Sequence, residues 1–328
     1  MSKYKDIRGT HITTLTTDPP APVNGQMWYN STTRVMKGFT SSPAGTWSTA
    51  ANMNTARHSG IMSAGANAEA ALGFGGGPPP APTAVAITES WNGSTWTEVA
   101  DLNSKRASGG GAGNYTSAIA AGGDQYSGTS ESWNGSSWTN ITSSPNTGHT
   151  QQGAGSDNED AILFGGSPYA VNNNSDYWNG SSWTELANLN TARQVGGGSG
   201  KAYTAALAIG GTNPTPGSLA IVESYNGSSW TEITDINTAR AYMGADGTQT
   251  STLAFGGNTP TASPVNLAVT ESWNGSAFSE TGDLNTARSY LGRGGASNAS
   301  AIGFSGAPSA ATEEFVTPTT STVTFTAS

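Results

Sequence analysis

One short segment recurs along this 328-residue chain and constrains everything else about it. It reads ESWNGSTW at 89–96, ESWNGSSW at 131–138, DYWNGSSW at 176–183, ESYNGSSW at 223–230 and ESWNGSAF at 271–278, with a degraded copy, TEEFV, at 312–316. Self-similarity at a fixed period marks a fold assembled from repeated supersecondary units. The second aromatic of each copy is followed ten or eleven residues later by a basic residue, giving Trp47/Arg57, Trp96/Arg106, Trp138/His149, Trp183/Arg193, Trp230/Arg240 and Phe278/Arg288. In most copies the link reads LNTAR or a close variant. A Gly pair then follows at 75–76, 122–123, 165–166, 210–211 and 256–257, with Ser305-Gly306 in the last copy.

Successive second aromatics are 49, 42, 45, 47 and 48 residues apart, and most of that scatter has one source. The stretch between the Gly pair and the next carboxylate is 12, 7, 9, 11 and 13 residues long. A near-constant unit with one variable loop remains. Each unit holds four candidate strands. The first follows the basic residue (AYMGADG, 241–247) and the second ends at the Gly pair (STLAFGG, 251–257). The third is ESW, and the fourth starts at the second aromatic. Asn-Gly between two aromatics is a hairpin signal, because both residues tolerate positive φ. No convincing amphipathic helix interrupts the pattern. Four short antiparallel strands repeated at this period describe a propeller blade.

The order of Gly-Gly, an aromatic before a turn, Trp, and an Asn-Thr-x-Arg link resembles the kelch repeat over residues 41–328. Asn-Gly stands where kelch repeats carry other turn residues, and LNTAR where they usually carry Pro. The wording ESWNGSSW and LNTAR is similar to kelch-like proteins of marine tailed bacteriophages, cyanophages included. The segment GQMWYNSTTRVMKGF (25–39) resembles a motif near the start of phage tail and fibre proteins. The resemblance implies an all-β, six-bladed kelch-like β-propeller with a short N-terminal extension, made in the host cytoplasm and carried on the virion.

Trp47 lacks a preceding ESW strand, and TEEFV lacks a following Trp strand. Pairing them would close six blades and leave no open edge. VTFTAS (323–328) is the competing closing strand. Residues 1–40 would then form an attachment arm with a small hairpin. They carry five basic and two acidic groups, whereas the whole chain has net charge −9. Lys3, Lys5, Arg8, Trp28 and Tyr29 are the candidate anchor to other virion proteins. The acidic body argues against nucleic-acid binding, which needs a basic footprint. No apolar run is long enough for a membrane span, so no membrane insertion is expected.

In a four-stranded antiparallel blade the loop after strand two and the link after strand four share a face. Specificity tends to sit on variable loops held by a rigid scaffold. Tyr126, Tyr169, Asn172, Asn213 and Asn258 are therefore the candidate contacts to a host surface glycan or protein. Arg57, Arg106, Arg193, Arg240 and Arg288 form a tempting anion ring. Each is matched by a recurring carboxylate (Glu89, Glu131, Glu223, Glu271, with Glu313 in the last copy), which favours a charge-assisted blade contact. Repeated Trp pairs read as inter-blade core before they read as sugar platforms.

No catalytic residue, cofactor or metal is expected. The chain has no Cys and only His11, His58 and His149, which excludes thiolate chemistry and a His-rich metal cluster. Asp157, Glu159 and Asp160 match no EF-hand spacing. SWNGSTW resembles the Asp-box turn of sialidases, a structural element, with Asn for Asp. The expected function is that of a virion structural protein displayed in multiple copies on the tail or fibre apparatus and involved in host adsorption. Capsid-surface decoration is the alternative, and a polysaccharide-acting enzyme stands behind both.

Overall fold

A computed structural model describes residues 12–20, 26–41, 45–57, 61–77, 83–123, 129–145, 152–166, 172–213, 217–259, 264–307, 309–317 and 320–325. The regular elements among them are all strands. The chain divides into two compact units, Thr46–Val316 and Met1–Gly45 with Thr317–Ser328.

The larger unit is all-β and propeller-like, built from small four-stranded antiparallel sheets. Sheet 1 runs Met62–Asn67, Ala70–Phe74, Thr88–Trp91, Trp96–Glu98. Sheet 2 is Gly110–Asn114, Ser117–Ala121, Ser130–Trp133, Trp138–Ile141, and sheet 3 is Gln152–Gly155, Ala161–Phe164, Ser175–Trp178, Trp183–Glu185. Sheet 4 is Gly197–Ser199, Ala206–Ile209, Val222–Tyr225, Trp230–Ile233, and sheet 5 is Gly244–Thr248, Ser251–Phe255, Thr270–Trp273, Phe278–Glu280. Sheet 6 takes Gly292–Ser297, Ser300–Phe304 and Thr312–Val316 from the end of the chain and Thr46–Ala50 from its start. In that sheet Phe315 lies opposite Trp47.

The NGSS turns follow from local chemistry. The Asn92 side-chain oxygen accepts the amides of Ser94 at 3.0 Å and Thr95 at 2.9 Å, while Gly93 takes φ 87°. A side chain at Gly93 would meet the left-handed penalty. Strands three and four are thereby set in register, with Trp91 opposite Trp96.

The core lies between sheets rather than inside one. Phe74 of sheet 1 meets Trp138 of sheet 2 at 4.9 Å, and Phe164 of sheet 3 meets Trp230 of sheet 4 at 5.0 Å. Phe255 of sheet 5 meets Trp47 at 4.8 Å, and Phe304 of sheet 6 meets Trp96 of sheet 1 at 4.7 Å. Such pairs add roughly 0.5–1.5 kcal/mol beyond the area they bury. The second-strand phenylalanine and the second aromatic of the next repeat thus form one inter-sheet joint.

Each Trp of that joint also places its indole N–H. Trp96 donates to Thr312 at 2.9 Å, Trp138 to Thr88 at 3.1 Å, Trp230 to Ser175 at 3.1 Å and Trp47 to Thr270 at 3.0 Å. In sheet 5 the aromatic is Phe278, which has no N–H, and the equivalent acceptor position in sheet 4 is Val222, in the same apolar cluster. Donor and acceptor are lost together, so no polar atom is stranded. Phe278→Trp alone is expected to destabilise by about 1–2 kcal/mol, because it buries an unpartnered N–H. Adding Val222→Thr should restore most of that. Urea unfolding of the single and double variants tests it; an uncoupled pair would refute the joint.

First strands are rich in Gly because they approach one another closely. A β-carbon on Gly65 would come within 2.5 Å of the Gly294 backbone, one on Gly111 within 2.7 Å of the Ser63 carbonyl, and one on Gly198 within 2.5 Å of the Gly153 carbonyl. Composition that could suggest a disordered chain is a packing requirement here.

The smaller unit is a four-stranded sheet in the order Thr13–Leu15, Met27–Asn30, Val35–Ser41, Thr320–Phe325. Thr13–Leu15 runs parallel to Met27–Asn30, and the other pairs are antiparallel. The C-terminal strand therefore pairs with Val35–Ser41 and not with sheet 6, so a division at residue 40 separates strands that belong together. Asp18 clasps this sheet, accepting from Trp28 Nε1 at 3.0 Å, Asn30 Nδ2 at 2.8 Å and Lys37 Nζ at 2.6 Å. Those bonds, Lys37 foremost, lower its pKa to about 2.

Candidate functional site

The recurring charges meet at sheet junctions. Arg57–Glu89, Arg106–Glu131, Arg193–Glu223, Arg240–Glu271 and Arg288–Glu313 are buried ion pairs at 2.5–3.0 Å. Burial lowers the Arg57 pKa to about 10, against the opposing pull of Glu89, and the guanidinium stays charged at neutral pH. Each carboxylate also holds the incoming link. Glu271 accepts the Asn237 amide at 2.6 Å, Asn237 Nδ2 at 2.9 Å and the Thr238 amide at 3.2 Å, besides Arg240 Nη1 at 2.8 Å. The link leucines at 102, 189 and 284, and Ile236 in the link that Glu271 holds, are buried. LNTAR is thus a clasp. Its Leu packs, its Asn and Thr amides cap the carboxylate, and its Arg neutralises it. These arginines face no solvent and form no open anion ring.

The Trp pairs are likewise occupied. First-position indoles donate to backbone carbonyls, Trp91 to Ala68 at 3.0 Å and Trp273 to Gln249 at 2.9 Å. Trp28 is also buried, at 1% exposure, so it serves the core of the small sheet rather than an outer contact. Tyr29 is partly buried in the same strand. Lys3, Lys5 and Arg8 lie outside the described residues.

On the loop face, bridges join links to variable loops at Val85/Arg106, Gln194/Thr212, Ala241/Asn258 and Ser289/Ala307. Asn258 is buried and exchanges both backbone hydrogen bonds with Ala241, at 2.8 and 3.0 Å, so its place is in this lattice and not on an open surface. Asn213 pairs with Gly217 in a small hairpin. The Asn172 carbonyl accepts the Arg193 amide at 3.1 Å. Tyr126, Tyr169 and His149 fall outside the described residues. Asp157 accepts the Glu159 amide at 2.8 Å within its turn, and Asp160 accepts the Tyr203 amide of the next repeat at 3.1 Å.

What the repeat pattern does not show is a cleft lined by residues at or just before the first strands of the sheets. It measures about 80 Å³ and is lined from every sheet, including Met62, Ser108, Val195, Tyr242, Tyr290 and Arg293. Ser108, Val195, Tyr242 and Tyr290 each sit two residues after a repeat arginine, with φ of 58°, 52°, 54° and 61°. The equivalent positions 59 and 151 lie outside the described residues. Non-Gly residues in this region cost on the order of 1–3 kcal/mol each and persist only where the surroundings enforce them. Backbone bonds enforce them here, with the Tyr242 amide donating to the Val195 carbonyl at 2.6 Å and the Tyr290 amide to the Tyr242 carbonyl at 2.8 Å. The Tyr242 and Tyr290 rings lie 4.1 Å apart. Burial and the neighbouring Tyr242 push the Tyr290 pKa up, so its phenol remains protonated. It can donate a hydrogen bond and is no general base.

Arg293 lines this cleft and also borders a second, smaller cavity with Lys201 and Asp246. Lys201 Nζ donates to Asp246 at 2.7 Å and to the Gly65 carbonyl at 2.8 Å, and Arg293 Nη2 donates to the Gly153 carbonyl at 2.7 Å. Both cations brace distant sheets. The signal was present in the sequence, since Asp246 and Arg293 are charges in first strands otherwise made of small residues, and Lys201 lies two residues past the end of another such strand. No family model matches the chain, and no curated protein matches it.

Proposed function

We propose that this chain is a virion structural protein of a tailed bacteriophage. In this reading the six sheets are blades of a closed, kelch-like propeller displayed on the tail or fibre apparatus for host adsorption. The closure reading is supported by the Phe315–Trp47 pairing and by the apolar cluster that joins Ile302 and Phe304 to Trp91 and Trp96.

The observation that carries the display reading is the separation of the small sheet, which takes both the N-terminal residues and the C-terminal strand, from the repeated unit. The small sheet thus combines Thr13–Leu15, Met27–Asn30 and Val35–Ser41 with Thr320–Phe325 in one body suited to attachment, while the cleft is lined by the repeated unit alone. Multiple copies on one particle would add avidity to weak single contacts. Binding rather than catalysis fits the cleft, because the Tyr290 phenol stays protonated and its one described carboxylate neighbour, Asp246, is engaged by Lys201.

Electron microscopy of the particle, with an antibody against this chain, tests the reading. Label on the tail or its fibres is the expected result. Label spread over the capsid would replace display with decoration, and absence from the particle would overturn a virion role altogether.

A further inference from the structure

The cleft holds a cation, Arg293, with no ion-pair partner among the described residues. The repeat arginines of the described residues each have a buried Glu partner, whereas Arg293 forms no ion pair among the described residues and spends one Nη2 bond on the Gly153 carbonyl. The nearby carboxylate, Asp246, already accepts Lys201 Nζ and the Gly247 amide, both at 2.7 Å. Two cations therefore face one anion. Arg293 is half-buried, so part of its hydration is lost, and an incoming anion would offset that loss. Burial lowers the Arg293 pKa, and Asp246 opposes that shift.

The same cleft presents an aromatic pair at its wall. Tyr242 and Tyr290 are partly exposed and held by backbone bonds in a conformation that side chains of their size rarely adopt. Rings fixed in this way lose little freedom on binding. Their phenols are hydrogen-bond donors or acceptors for hydroxyl groups.

We propose that this cleft binds a sugar ring bearing a carboxylate, with the carboxylate on Arg293 and the ring against Tyr242 and Tyr290. The proposal rests on reading the repeated unit as a displayed binding module and names its ligand class. Arg is suited to the carboxylate because its planar fork presents two parallel donors.

Calorimetric titration of the full chain with glucuronic acid, glucose and acetate tests the proposal. Glucuronate should bind, with glucose and acetate each weaker by about tenfold or more. Arg293→Gln should abolish the preference for glucuronate over glucose, and Arg293→Lys should keep part of it. Tyr290→Ala should weaken glucuronate and leave acetate unchanged, which keeps the test open if Arg293→Gln fails to fold. Equal binding of glucuronate and glucose, equal binding of glucuronate and acetate, or no glucuronate binding at millimolar concentration would each overturn it. If the chain sits on the tail and fails to bind glucuronate, only this inference falls. If it is absent from the particle, the display reading falls and the titration stands by itself.

Discussion

Gly198→Val is expected to leave little folded protein, with a loss of at least about 3 kcal/mol where stability can be measured. The new β-carbon would lie 2.5 Å from the Gly153 carbonyl and 3.1 Å from its amide, both backbone atoms of the neighbouring first strand. Nothing at the end of a flexible side chain can yield. The first strands are packed backbone to backbone, so relief in one direction creates a clash in the next. Gly198 is not among the positive-φ residues, so the effect is steric and not conformational. A valine on the exposed part of the sheet, as at Thr231, is the matched control and should cost little. Soluble yield and urea midpoints read the outcome. A Gly198→Val protein as stable as the parent would mean that the first strands do not pack at the distances described.

Removing one partner of a buried junction pair should have the other large effect, and an asymmetric one. Glu271→Leu is expected to cost about 3–5 kcal/mol, since it leaves the Arg240 charge buried and unpaired. It also strands the Asn237 and Thr238 amides that Glu271 accepts. Arg240→Met should cost less, because the carboxylate it leaves behind keeps those two amides and the Asn237 side chain. The double variant removes both charges and still lacks the acceptor for the link. It should therefore recover part of the Glu271→Leu loss and remain below the parent. Arg240 Nε has no hydrogen-bond partner among the described residues, so the ion pair is not ideal to begin with and the recovery should be measurable. Equal stability of the double variant and the parent would show that the carboxylate does not hold the link.

The repeat grammar already contained the junction chemistry, because each piece answers a local demand. Asn-Gly is needed for the turn at Asn92–Gly93, a β-branched or hydroxyl residue precedes each carboxylate, and Leu, Asn and Arg recur in the link. The exception in the pattern was readable as well. Phe278 and Val222 depart from Trp and Thr or Ser in neighbouring repeats, and they face each other in one cluster. The pairing of Trp47 with TEEFV was legible from the mismatch at the two ends of the repeat, and the residues do pair. The C-terminal strand was not. Thr320–Phe325 carries a generic β-rich pattern that suits any open edge, and the edge it meets is that of Val35–Ser41.

The cleft was the least legible part, for a physical reason. A repeat records what every unit has in common, whereas the lining of a cleft shared by several units depends on where they differ. Lys201, Asp246 and Arg293 come from three different sheets and are far apart in sequence, so only folding brings them together. The left-handed backbone at Tyr242 and Tyr290 is equally invisible in the sequence, because it is imposed by bonds from neighbouring links. The sequence by itself determined the strands, their turns and the clasp that joins one repeat to the next, since those rest on contacts within or between adjacent units. Only the tertiary structure decided which side chains share the cleft, because that position is set by the approach of all the first strands at once.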